Sequence, residues 1–156
     1  MNKWIALAVF IGICFAAAAC GAAFTRTALV EWYPMLRKPP WNPPDWIFGP
    51  VWTALYLMMA IAGWLIWLDR NISAVGLALG FFLLQLILNA SWTGIFFGMR
   101  NPGAAFIEIV ALWIAIAATI FQFAQIRSAA AWMLIPYLAW VTFAATLNFT
   151  IWRLNS

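Results

Sequence analysis

Residues 102–125, PGAAFIEIVALWIAIAATIFQFAQ, form one apolar stretch with Glu108 as its single charged side chain. A helix needs roughly 20 predominantly apolar residues to cross the hydrocarbon core of a bilayer. This stretch therefore reads as a span, opened by Asn101 as cap and Pro102 in the first turn. Downstream, a second candidate covers about residues 129–153, with Pro136 placed to kink it. Upstream lie candidates at about 73–98, preceded by the cap-forming Asn71 to Ser73, and at about 47–68, entered through Pro50 and closed by Asp69 and Arg70. A fifth, rich in Ala and Gly, covers about 3–24. The expectation is an all-α integral membrane protein, multi-pass, with 1–156 forming a single five-helix domain. Three short connections make neighbouring helices antiparallel, and an odd number of spans puts the termini on opposite sides.

Composition agrees: the 156 residues are 67% hydrophobic and 8% charged, against about 45–50% and 25% in soluble domains. Five spans use the whole length and leave no room for a soluble catalytic or DNA-binding domain. The sequence has no histidine, which removes histidine-based metal sites, catalytic triads and the usual proximal haem ligand. Cys14 and Cys20 lie six positions apart in one helix, about 120° from each other, a geometry for neither a disulfide nor a shared metal. No metal site and no required cofactor are expected. A net charge of +4, scattered along the chain, argues against a nucleic-acid partner. Lys3 with the apolar run to Ala17-Ala18-Ala19-Cys20 has the look of a signal peptide. The apolar stretch continues to Phe24, however, and is long enough to span.

The segment between the first two spans, residues 25–46, is long for a connection without regular structure. It carries Trp32, Tyr33, Trp41 and Trp46 among Pro34, Pro39, Pro40, Pro43 and Pro44. Rigid prolines and large rings make a folded cap over one end of the bundle, with Arg37 and Lys38 left in water. A packed plug or a headgroup-level anchor is the plainer alternative. Arg26, Arg37, Lys38, Arg100 and Arg153 fall on the cap side, and Lys3, Arg70 and Arg127 opposite, which favours a cytoplasmic cap.

Twelve tryptophans exceed what interfacial belts require; Trp113 and Trp140 lie too deep in their spans for that role. Phe48, Trp52 and Tyr56 recur every four residues on the second helix, and Tyr137, Trp140, Ala144, Leu147 and Asn148 line one stripe of the fifth. Gln85 and Asn89 stand one turn apart in mid-helix, and amides in hydrocarbon need partners. Gly76/Gly80 and Gly94/Gly98 form two GxxxG pairs about 160–220° round the third helix from Gln85, Asn89 and Trp92. Small residues so spaced let backbones approach in lipid, as a dimer seam or as packing within one bundle. If the aromatic faces converge, they enclose a slot with a few amides, the pattern of a small-molecule pocket. Plain helix packing explains the same faces equally well. Arg37 or Lys38 at the mouth would meet ligand carboxylates. Glu108 is a functional candidate by its setting, or a side chain reaching for the interface.

The string WYPMLRKPPWNPP at 32–44, followed by Pro50, Trp52 and Tyr56, then by Gln85, Asn89, Trp92 and Phe97, and finally by PYLAWVTFAATLN at 136–148, resembles the TspO/MBR family of tryptophan-rich sensory and translocator proteins. The likeness covers nearly the whole chain in order and spacing. It implies a five-helix membrane fold, commonly a homodimer through the third helix. It also implies binding of porphyrins such as protoporphyrin IX and haem, of benzodiazepine-site ligands and, in some members, of cholesterol. Pocket positions carried over from the family are Trp41, Asn42, Phe48, Trp52, Tyr56, Gln85, Asn89, Trp140, Ala144 and Leu147. Some members are reported to degrade porphyrin in light through pocket tryptophans, which would make Trp52 and Trp140 the reacting residues. Phe149 stands where the family's proposed cholesterol motif has tyrosine between Leu147 and Arg153, which puts sterol binding in doubt. Without histidine, haem would be held by stacking and carboxylate pairing. The expected function is a membrane receptor or sensor for a tetrapyrrole; a light-dependent porphyrin-degrading enzyme and a porphyrin or sterol transporter are the alternatives.

Overall fold

The computed structural model describes residues 2–156. Helix α1 runs Lys3–Glu31, α2 Phe48–Leu68, α3 Val75–Thr93, α4 Pro102–Ile126 and α5 Ser128–Leu154. Short 3-10 turns at Tyr33–Met35 and Asp45–Ile47 interrupt the first connection, and α3 continues as a π-helical turn over Gly94–Gly98. All five helices are long and apolar enough to cross a bilayer, so the chain is an all-α, multi-pass integral membrane protein. The expected caps hold at α4, where the Asn101 side chain accepts from the Ala104 N–H at 3.0 Å. Pro136 lies inside α5, which continues through it.

Two helix ends differ from the sequence reading: α3 starts at Val75 with Ala74 as its N-cap and no side-chain cap, where Asn71 to Ser73 were expected, and α1 ends later than expected. α1 extends beyond residue 24 to Glu31, so the connection starts at Trp32. Thr25, Arg26 and Thr27 end the hydropathy signal but not the helix. The Thr25 hydroxyl bonds back to the Gly21 carbonyl at 2.9 Å, and Ala28 is buried.

α4 packs between α3 and α5, while α1 packs on α2 and α3. Between helices in lipid, close packing replaces the hydrophobic driving force, and Gly63 shows how tight it is. A Cβ there would sit 2.8 Å from Phe10 of α1 and 3.1 Å from Phe82 of α3. Phe82 in turn stacks on Phe123 of α4, with centroids 6.0 Å apart. The Phe10–Gly63 contact and the Trp4–Trp64 stack join α1 to α2 at the end away from the cap. Nearer the cap α1 meets α3 instead: a Cβ at Gly21 would lie 3.3 Å from Thr93, and Phe24 covers Gly94 and Gly98.

That last contact separates the two glycine pairs, which helical spacing puts on one stripe of the third helix. Phe24 of the same chain lies 3.7 Å from a Cβ built at Gly94 and 2.9 Å from one at Gly98, whereas Gly76 and Gly80 meet nothing within 4 Å. The π-helical turn changes the angular register after Thr93, so the two pairs do not share one open face. Of the two pairs, Gly76 and Gly80 alone are clear of contacts within this chain among the described residues.

The charges partition by side as expected. Arg100, held in the left-handed region at φ 53, pairs with Glu31 at 3.2 Å at the cap end. At the other end Arg127 grips Asp69 through two bonds of 2.8 and 2.9 Å, tying the α2 terminus to the α4–α5 turn. The guanidinium hydrogen bonds hold the Asp69 carboxyl below its ordinary value. A depressed carboxylate contributes stability that is complete above its unfolded value, near pH 3.9, and is lost as pH falls through the lower folded value. Wild type is therefore expected to exceed Asp69→Asn in unfolding free energy from pH 5 to 8, by under about 1 kcal/mol for a pair still partly in water. Thermal unfolding in detergent at pH 7, 5 and 3 checks this: the gap should shrink only in the most acidic sample.

Candidate functional site

At the cap end of the bundle, a cavity of about 660 Å³ lies between α1, α2, α3 and α5. Its α2 wall carries Phe48, Gly49, Trp52, Thr53 and Tyr56, one face at near-helical spacing. α5 contributes Trp140, Ala144, Leu147, Asn148 and Ile151, and the α3 end adds Asn89, Trp92, Thr93, Phe96 and Phe97. The rings brace one another. Trp52 lies 5.7 Å from Tyr56 and 6.3 Å from Tyr137, and Trp140 lies 5.9 Å from Phe48 and 5.4 Å from Phe143.

A buried hydrogen-bond chain fixes the inner end. The Tyr56 hydroxyl donates to Asn89 Oδ1 at 2.7 Å, and Asn89 Nδ2 donates to the Tyr137 oxygen at 2.7 Å. The Tyr137 hydroxyl donates to Gln85 Oε1 at 2.8 Å, and Gln85 Nε2 faces the Met59 sulfur at 3.8 Å. The chain gives Gln85 and Asn89, the two mid-helix amides of α3, their partners. It also separates Gln85 from Asn89: Asn89 lines the cavity, while Gln85 lies one layer behind and positions Tyr137. Gln85 as a pocket residue is corrected accordingly.

The cap supplies the roof, with different residues from those expected. Tyr33, Asp45 and Trp46 line the cavity; Trp41 and Asn42 do not. Trp41 packs on Phe143 of α5 instead, centroids 5.9 Å apart. Asn42 acts through Tyr33, accepting its hydroxyl proton at 3.0 Å. Burial and the nearby Asp45 charge push the Tyr33 phenol up to about 12, so it stays a neutral donor. Lys38 is not free at the mouth: its ammonium donates to the Tyr33 and Leu36 carbonyls at 2.7 and 3.2 Å, over the Tyr33 ring. Neither Arg37 nor Lys38 lines the cavity.

Two groups of lining residues were not anticipated. The α1 wall is Phe15, Ala18, Ala19, Gly21, Ala22, Thr25, Arg26 and Leu29, where small side chains leave the space that the tryptophans border. The Ala/Gly-rich composition was the available signal. The π-helical turn adds Phe96 beside Phe97; it is closed by the Met99 N–H bond to the Gly94 carbonyl at 2.9 Å. Such wide turns often mark functional positions, and here the turn swings Phe96 under the roof, 5.7 Å from Trp32. Trp92 donates to Asn148 at 3.0 Å, and Asn148 donates to the Pro102 carbonyl at 2.7 Å, locking three helices at this level. Trp113 faces outward and gives its N–H to Thr142 at 2.8 Å.

The model of the TspO/MBR family matches residues 10–153. Among curated relatives, tryptophan-rich protein TspO of Chlorobaculum tepidum is 46% identical, with 99% of each chain covered. The tryptophan-rich sensory protein of Cereibacter sphaeroides is 42% identical over 88% of this chain and 87% of its own. The translocator protein of Homo sapiens is 39% identical, over 86% of this chain and 81% of its own. A roofed aromatic cavity within five membrane helices, joined to similarity along nearly its entire length, makes this chain a member of the TspO/MBR family.

Proposed function

We propose that the protein is a membrane receptor or sensor that binds a tetrapyrrole, protoporphyrin IX or haem, in the roofed cavity, without a required cofactor. The observation that carries the reading is the cavity itself: about 660 Å³, bordered by Phe48, Trp52, Tyr56, Trp92, Phe97 and Trp140. Ligand sites typically measure about 300–1,000 Å³, with apolar walls and few polar groups. Flat conjugated rings gain about 0.5–1.5 kcal/mol per well-placed aromatic partner beyond buried area. Neither histidine nor a free cysteine lines the walls, so a haem would be held by its ring and carboxylates. Sterol is not included, since Phe149 packs on Phe106 at 5.1 Å without the hydroxyl that the cholesterol motif requires. A second copy of the chain is proposed to pack on α3 at Gly76 and Gly80.

A second reading, photochemical degradation of porphyrin, is favoured by one feature. Trp52 and Trp140, the residues that would react, both line the cavity. Titrating the purified protein with protoporphyrin IX separates the readings. Tryptophan quenching is followed in the dark and porphyrin absorbance under illumination, for wild type and for Trp52→Phe with Trp140→Phe. A receptor is expected to show saturable quenching, an unchanged porphyrin spectrum in light, and affinity reduced about tenfold or less in the double variant. A new absorbing product, absent from the double variant, would put degradation first. Absence of saturable quenching would overturn both.

A further inference from the structure

We infer that Arg26 is the anion anchor of this cavity, which selects flat apolar ligands carrying a carboxylate at one edge. The inference rests on the cavity being a ligand site, as proposed above.

Among the lining residues only Arg26 and Asp45 are charged, and both belong to the roofed end. Arg26 lies eleven residues beyond Phe15 on α1, about 16 Å along the axis at 1.5 Å per residue. The inner end is closed by Phe15, Tyr56 and Asn89, so the cavity has one neutral, aromatic end and one charged end. The other basic side chains that the sequence suggested for the mouth are placed elsewhere, Lys38 on two carbonyls of the cap and Arg37 outside the lining.

The chain has four carboxylates. Glu31 pairs with Arg100, and Asp69 with Arg127. Glu108 lies in α4, which lines no part of the cavity. Asp45 shares the mouth but forms no ion pair with Arg26 among the described residues. Arg26 thus presents, on the exposed rim of the α1 wall, a guanidinium with no ion-pair partner among the described residues, where a planar donor fork fits a carboxylate better than a point charge does. Asp45, on the facing cap turn, repels the same group. Together they orient an anionic edge toward α1 and leave the apolar body to the aromatic walls.

The test compares protoporphyrin IX, a dicarboxylic acid, with its uncharged dimethyl ester, by quenching in a neutral maltoside detergent without phospholipid. Wild type is expected to bind the acid about five- to tenfold more tightly than the ester. Arg26→Gln should remove that preference by weakening the acid alone, and Arg26→Lys should keep part of it. Asp45→Asn should strengthen the acid about two- to threefold and leave the ester unchanged. Equal losses for acid and ester in Arg26→Gln would mean a packing role and overturn the inference while the cavity reading stands. So would an effect of Arg26→Gln seen only in bilayers containing anionic phospholipid, which would make Arg26 a headgroup contact. Failure of wild type to bind either compound would overturn the cavity reading and this inference with it.

Discussion

Asn89→Leu is expected to lower stability by about 2 kcal/mol, because it leaves two buried hydroxyls without the partner they share. Leucine matches the asparagine in size, so the loss comes from polarity and not from a void. The Tyr56 hydroxyl loses its acceptor, and the Tyr137 oxygen loses its donor, both from bonds of 2.7 Å. Tyr137 still has Gln85, at 2.8 Å, which is why the cost is not larger. Hydrogen bonds between membrane helices average about 0.6 kcal/mol by mutant cycles, but those values subtract the stranded groups that dominate here. Adding Tyr56→Phe removes one stranded hydroxyl and should restore part of the loss, about 0.5–1 kcal/mol. Unfolding of the three variants in mixed detergent gives the cycle directly. Additive losses would show that the chain of bonds is not coupled.

Ala144→Phe is expected to weaken porphyrin binding about tenfold to a hundredfold, roughly 1.4–2.7 kcal/mol, while leaving the fold intact. Ala144 lines the cavity one turn from Trp140, so a phenyl group there has the cavity itself to occupy. Overpacking penalties of about 1–3 kcal/mol arise where neighbours must move, and an open volume beside the site spares them. The outward-facing Ala139 supplies the control, since Ala139→Phe should leave affinity unchanged. Equal affinity in wild type and Ala144→Phe would place the porphyrin somewhere other than this cavity.

Much of the architecture was legible because hydropathy and punctuation carry it. Asn101-Pro102 and the polar turn around Asp69 and Arg70 mark helix ends that the structure reproduces. The α1 terminus was not legible, since Thr25, Arg26 and Thr27 mark where the apolar run ends and a helix has no obligation to stop there. Within the site, periodicity was enough for α2 and α5, where Phe48, Trp52 and Tyr56, or Trp140, Ala144 and Leu147, share a face by helical geometry alone. Depth is not encoded that way. Gln85 and Asn89 have the same angle and differ by one turn, and only packing decides which one meets the cavity. The cap was harder still. In Trp41-Asn42-Pro43-Pro44-Asp45-Trp46 two exposed tryptophans stand five positions apart, and only the path of the cap decides that Trp46 borders the cavity mouth while Trp41 packs on Phe143. The α1 wall was hidden for another reason: its contribution is missing side-chain volume, which a search for chemically active residues passes over.

The end of α5 also governs the roof. Asn155 accepts from the Arg37 amide at 3.0 Å and donates to the Arg37 carbonyl at 2.9 Å, across 118 positions of sequence. The same side-chain nitrogen lies 2.7 Å from the Ile151 carbonyl in the last turns of the helix. Both bonds go to the backbone of one residue, so removing the Asn155 side chain would free the Arg37 N–H and carbonyl together. The cap is therefore tied to the last turn of α5 by a residue that lines no part of the cavity.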